Sequence, residues 1–231
     1  MDTSGRISAV SEDRMATDLL RLARDPITGR IKHRTGVDVC LRAALFADLA
    51  LRGQIINRRG SPAVALPELT GDRMLDAVRG TVEQRPGVVW LRWFRHVSTD
   101  CTALRNELIA DGRWQRQGGW RASFADPDSD AMLALAHQLD QVTRHERAPA
   151  DSREAVLATL AAMCGATTGG LPRPVTVKQD LAPLFTTFAE DTIPKIIDAA
   201  ATSMRRARRG GSGLARPPGG VLNWLPRRRA S

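Results

Sequence analysis

The chemistry open to this chain is arginine chemistry. Its 231 residues carry 34 lysines and arginines, of which only Lys32, Lys178 and Lys195 are lysines, and there is no tyrosine. The other reactive side chains are few and poorly spaced for catalysis. His33, His96, His137 and His145 show no HExxH or other metal-ligand spacing. Cys40, Cys101 and Cys164 stand about sixty residues apart and leave an odd thiol without a metal pattern. No P-loop or GxGxxG is present, and the run Gly210 to Gly213 lies in a linker and not in a nucleophile elbow. A guanidinium is a permanent cation with a planar fork of donors, suited to holding phosphate and not to moving protons. The expectation is a non-catalytic binder with no cofactor and no metal.

The net charge of +9 is concentrated at one end. Residues 204–231 hold Arg205, Arg206, Arg208, Arg209, Arg216, Arg227, Arg228 and Arg229 and no acid, so the preceding residues balance at 26 basic against 25 acidic. A basic segment near an anionic bilayer gains about 1 kcal/mol per cation. Trp224, with Leu222 and Leu225, would add a shallow apolar anchor. Nucleic acid is the lesser alternative, since its phosphates also attract arginine.

Positioning falls to helices. Val37 to Gly53, VDVCLRAALFADLALRG, carries Asp38, Arg42, Asp48 and Arg52 within about a 120° arc of a helical wheel and is otherwise apolar. Such a helix must be wrapped by other elements. Both acid-to-base pairs have the favourable i,i+4 order, and Gly53 ends the helix. Before it, Arg14 to Arg24 reads as a short helix stopped by the DPITG turn, followed by the basic loop RIKHRT. After it come a hairpin around Arg58 to Ser61 and a helix over Leu69 to Glu83. Val88 to Val97 is a buried helix or a strand; length and periodicity allow either.

Ser98 is the expected N-cap of a helix closed by Gly112, and a second hairpin turns at Gly118-Gly119. Helices from Asp128-Ser129 and from the Asp151 to Glu154 capping box follow, then two more over about 176–188 and 191–209. The fold class is mainly α: a multi-helix single domain around the apolar helix at 37–53, with two short β-hairpins. The expected organisation is a flexible N-terminus (1–13), a helical domain (14–203) and a basic, disordered tail (204–231). With no signal-peptide layout, no membrane-length apolar run and an odd thiol, a cytosolic setting is expected, at most on a membrane surface.

A helix followed by a hairpin also suits a winged helix-turn-helix. A recognition helix must present polar side chains to bases, whereas 37–52 is apolar over most of its circumference, and the later candidate carries Asp100, Glu107 and Asp111. DNA binding is disfavoured on both counts.

The segment LRAALFADLALRG resembles the corresponding helix of the Golgi phosphoprotein 3 family, with its Leu-Arg followed by Leu-Ala-Leu-Arg-Gly. TDLLRLARDPITGR resembles that family's opening leucine-rich helix, and GDRMLDAVRGTVE, LRNELIADGRW and AVLATLAAMCGA resemble later segments, in the same order over about Arg14 to Ala201. The resemblance implies a largely helical, non-catalytic protein that binds phosphatidylinositol 4-phosphate on the cytosolic face of a membrane and, in eukaryotes, gathers the cytosolic tails of Golgi glycosyltransferases. The arginine and alanine bias fits an actinobacterial-type member, where those clients are absent.

Carried over by position, the family's helix arginine is Arg42, the preceding tryptophan falls at His33, and a pair of arginines falls at Ser98 and Cys101. Three of four positions have changed. Arg30, Lys32, Arg34, Arg92 and Arg95 stand on neighbouring turns and would refill the site, so Arg42, His33, Arg34 and Arg95 are the head-group candidates. The family's membrane-dipping hairpin tip falls at Ala122 to Pro127, where Phe124 is the side chain suited to insertion. The expected partners are an anionic phospholipid or phosphoinositide surface and membrane-protein cytosolic tails, a scaffold without lipid binding being the other alternative.

Overall fold

The computed structural model describes residues 14–31, 34–95, 100–117, 123–167 and 189–209. Among them lie helices α1 (Met15–Leu22), α2 (Arg34–Leu51), α3 (Arg73–Gln84), α4 (Trp90–Trp93), α5 (Asp100–Ala110), α6 (Ser129–Thr143), α7 (Ser152–Cys164) and α8 (Thr192–Arg209). Two antiparallel hairpins interrupt them: β1 (Ile55–Arg58) with β2 (Ser61–Val64), and β3 (Gln115–Gln117) with β4 (Ser123–Ala125). The fold is mainly helical with two short hairpins, as expected. The helix expected over 176–188 and the Ser98 cap lie outside the described residues.

Helix α2 is the axis. Helices α1, α3, α5, α7 and α8 and strand β1 all pack on it, and Leu41, Leu45, Phe46 and Leu49 are completely buried. Phe46 meets the edges of Trp90 and Trp93 at ring-centroid distances of 5.5 and 5.7 Å, with Phe94 at 5.8 Å. The described part of segment 88–97, residues 88–95, therefore holds a one-turn helix, because two tryptophans three residues apart project onto the same ring. The charged stripe of α2 is also covered: Asp38, Arg42 and Asp48 are buried, and only Arg52 reaches solvent. Asp48 has a tertiary role, its Oδ2 accepting the Met15 backbone N–H at 2.7 Å and so satisfying the start of α1.

The first hairpin closes through Arg59 and Gly60, both at positive φ (51° and 82°), the two-residue geometry that matches strand twist. It is tied inward by Trp90 Nε1, which donates to Asn57 Oδ1 at 2.9 Å, and by Asn57 N, which donates to Thr192 Oγ1 at 2.9 Å. The start of α8 is thereby fixed to the hairpin.

The second hairpin packs on the turn that follows α1. Phe124 N donates to Gly29 O at 3.0 Å, and a Cβ on Gly29 would stand 2.7 Å from Phe124 O, so glycine is required there. Phe124 is buried and stacks on Trp114 at 5.2 Å. This corrects the expectation that Phe124 is the inserting side chain: the contact with Gly29 turns it into the core. Behind it Arg21 grips Asp126 with two 2.8 Å bonds, and Trp114 Nε1 adds a third at 3.0 Å. Burial pushes the Asp126 carboxyl up, but the Arg21 and Trp114 bonds outweigh it and hold the group below its ordinary range.

Candidate functional site

The head-group candidates converge, in part, where α2 begins and α4 and α8 end. Arg42, one turn after Asp38 on α2, is 8% exposed, and its Nη1 donates to the Trp93 carbonyl at 3.5 Å. The adjoining carbonyl, Phe94 O, accepts from Ser203 Oγ of α8 at 2.7 Å. Arg95 is the next residue and is exposed, as is Arg92 on the helix itself. Met204, one position beyond Ser203, packs on Cys40 Sγ at 3.6 Å and lies 3.2 Å from where a Cβ on Gly36 would be. The last turns of α8 therefore lie against the first turns of α2, and Arg205 and Arg206 follow directly and are exposed.

This junction joins two groups of arginines that the sequence reading kept apart. Met204 is part of the core and α8 runs to Arg209, so the boundary expected between 203 and 204 falls inside a helix, and Arg205, Arg206, Arg208 and Arg209 stand on structured backbone. The sequence did contain the signal. Ile193, Ile197, Ala200 and Met204 follow the i, i+4, i+7, i+11 spacing of one buried helical face, which runs up to the first arginine.

The other candidates are placed unevenly. Arg34 opens α2. His33, Trp224, Arg227, Arg228 and Arg229 lie outside the described residues. Cys101, the family arginine position that is described, is buried at 1% exposure and faces the core. Sequence reasoning missed Ser203, whose hydroxyl fixes the carbonyl beside Arg95; a lone serine on a helix carries no signal without its partner in space.

An open groove of about 720 Å³ lies elsewhere, between the first hairpin and α3, lined in part by Arg58, Arg59, Leu66, Pro67 and Val82. Arg79 at its wall is committed to the carbonyls of Leu66 and Pro67, at 3.1 and 2.7 Å. None of the predicted site residues lines it. Among the described residues no group of three His, Cys, Asp or Glu side chains is placed to hold a metal ion, and no helix is long and apolar enough to cross a membrane.

The described residues thus form a mainly helical domain with exposed arginines, Arg92, Arg95, Arg205 and Arg206, on the segments that meet where α2, α4 and α8 come together. The sequence model of the Golgi phosphoprotein 3 (GPP34) family matches residues 15–207, and the chain is a member of that family. None of the curated proteins compared with the chain matches it.

Proposed function

We propose that this protein is a peripheral, non-catalytic binder of anionic phospholipid head groups, with phosphatidylinositol 4-phosphate as the ligand implied by its family. The observation that carries the reading is the junction of α2, α4 and α8, where exposed Arg95 follows the carbonyls held by Arg42 and Ser203, and exposed Arg205 and Arg206 follow Ser203 and Met204 on α8. Arg42 is too deeply placed to serve as the main donor. It fixes the Trp93 carbonyl while the exposed arginines meet phosphate oxygens, each through a charge-assisted and potentially bidentate contact. The arginines among residues 210–231 add to the positive charge of the chain, and the membrane face addressed is the cytosolic one.

Sedimentation with vesicles of neutral phosphatidylcholine alone, with phosphatidylserine, and with phosphatidylinositol 4-phosphate tests this. Binding to both anionic compositions is expected, falling steeply with salt, and a phosphoinositide preference would assign the head group. At about 1 kcal/mol per cation, replacing Arg205 and Arg206 together by alanine weakens binding about thirtyfold. Failure to bind either anionic vesicle at low salt refutes the proposal. A salt-steep mobility shift on DNA, retained when residues 210–231 are removed, would replace it with nucleic-acid binding.

A further inference from the structure

Ile27 is the most exposed of the described large apolar side chains, at 94%, and it is presented on a turn built to keep it there. Asp25 Oδ1 accepts from the backbone N–H groups of Ile27 and Thr28 at 3.0 and 2.8 Å, and Gly29 N donates to Asp25 O at 2.8 Å. Asp25 N in turn donates to Arg30 O at 2.7 Å, and an antiparallel bridge between Arg24 and Ile31 closes the base. Gly29, at φ 64°, is seated on the Phe124 backbone with no room for a Cβ. The turn therefore has little freedom to fold Ile27 back onto the protein, and holding it extended costs little further order on binding.

The surroundings are cationic. Arg30 is exposed on the turn itself, and Arg116, exposed on β3, stands directly across the strand pair from Phe124, the residue that Gly29 touches. Arg105 lies with its guanidinium 5.6 Å from the Phe124 ring. Asp25, the acid within the turn, is occupied by the turn's own N–H groups. The chain then leads from Ile31 to Arg34 at the start of α2, one end of the arginine junction.

We propose that the Asp25–Gly29 turn is a membrane wedge: Ile27 enters the boundary between head groups and acyl chains of an anionic bilayer while Arg30 and Arg116 meet the head groups beside it. A convex tip carrying one β-branched side chain flanked by cations matches a surface that is apolar below and negative above, which is the layering of such a bilayer. The inference rests on the proposed membrane binding and adds an insertion point to it, on a different element from the arginine junction.

Ile27→Cys, labelled with an environment-sensitive fluorophore, is the test, since Cys40, Cys101 and Cys164 are all buried and leave position 27 as the reactive thiol among the described residues. With phosphatidylserine-containing vesicles the label should shift to the blue and be quenched by lipids brominated near the head of the acyl chain; with neutral vesicles it should do neither. In the otherwise unchanged full chain, Ile27→Ser should weaken sedimentation with anionic vesicles about tenfold, with an unaltered fold by circular dichroism. Wild-type protein that sediments while the label stays in water, or an Ile27→Ser chain that binds equally well, overturns the wedge and leaves the membrane reading standing. If wild-type protein fails to sediment with anionic vesicles at all, both fall.

Discussion

Asp48 sits in the last turn of the core helix and should make the protein less stable as pH rises through its titration. The carboxyl is buried between α1, α2 and α7 and is pushed up to about 6, chiefly by burial, against the Met15 N–H bond and the more distant charges of Arg153 and Arg52; Asp18, itself bridged to Arg153 at 3.0 Å, adds a further upward push. In the unfolded chain the group returns to its ordinary value of 3.8. The folded state thus holds a proton that the unfolded state has released between those values. The contribution of Asp48 is fully present below the unfolded value and is lost as pH rises through the folded one. A shift of about two units corresponds to about 3 kcal/mol, of which about 2–3 kcal/mol falls between pH 4 and pH 7.5. Asp48→Asn keeps an acceptor for the Met15 N–H and removes the titration. Urea denaturation of both proteins at pH 4, 5, 6 and 7.5 isolates the effect, because every other titrating group cancels in the difference. Wild-type stability relative to the variant should fall by about 2–3 kcal/mol across that range. A difference that stays flat within about 0.5 kcal/mol, or that grows with pH, refutes the argument that burial governs this carboxyl.

Two further changes probe the packing. Phe46→Ala removes the ring on which Trp90, Trp93 and Phe94 converge and should cost about 3–5 kcal/mol, read by calorimetry as a melting temperature lower by about 6–20 °C. Gly29→Ala meets both a positive φ and the Phe124 backbone at 2.7 Å, so a loss of about 2 kcal/mol or more is expected, with amide exchange in β4 accelerated ahead of that in α2.

The core helix was readable from composition alone, since a segment apolar over most of its circumference has few places to go other than the centre. What its pattern concealed was the fate of the charged stripe. An i,i+4 pairing of Asp48 with Arg52 is sufficient on an isolated helix, and nothing local indicates that the carboxylate is claimed by the Met15 N–H 33 positions earlier. Segment 88–97 was ambiguous because a single turn is shorter than the window in which helical period can be told from alternation. Phe124 was misjudged for a related reason: Gly29 reads as the end of a turn, and its second role, letting one backbone rest on another, appears only when the two segments meet. For the candidate site, Arg42 and Arg95 could be nominated in sequence, but the run of arginines after Met204 drew attention from an apolar face that reached up to it. The junction of α8 with α2 depends on contacts between residues more than a hundred positions apart, which no local pattern encodes.

That separation has a kinetic side. Cys40 and Met204 are 164 positions apart, and Ser203 reaches back 109 positions to Phe94. At about 5–20 residues per second, synthesis leaves α2 without its α8 partner for about 7–30 s after the helix itself has been made. During that interval one flank of the core helix is exposed, and closure must await a contact of long loop entropy. The core of the nascent chain thus stays open on that flank until α8 emerges.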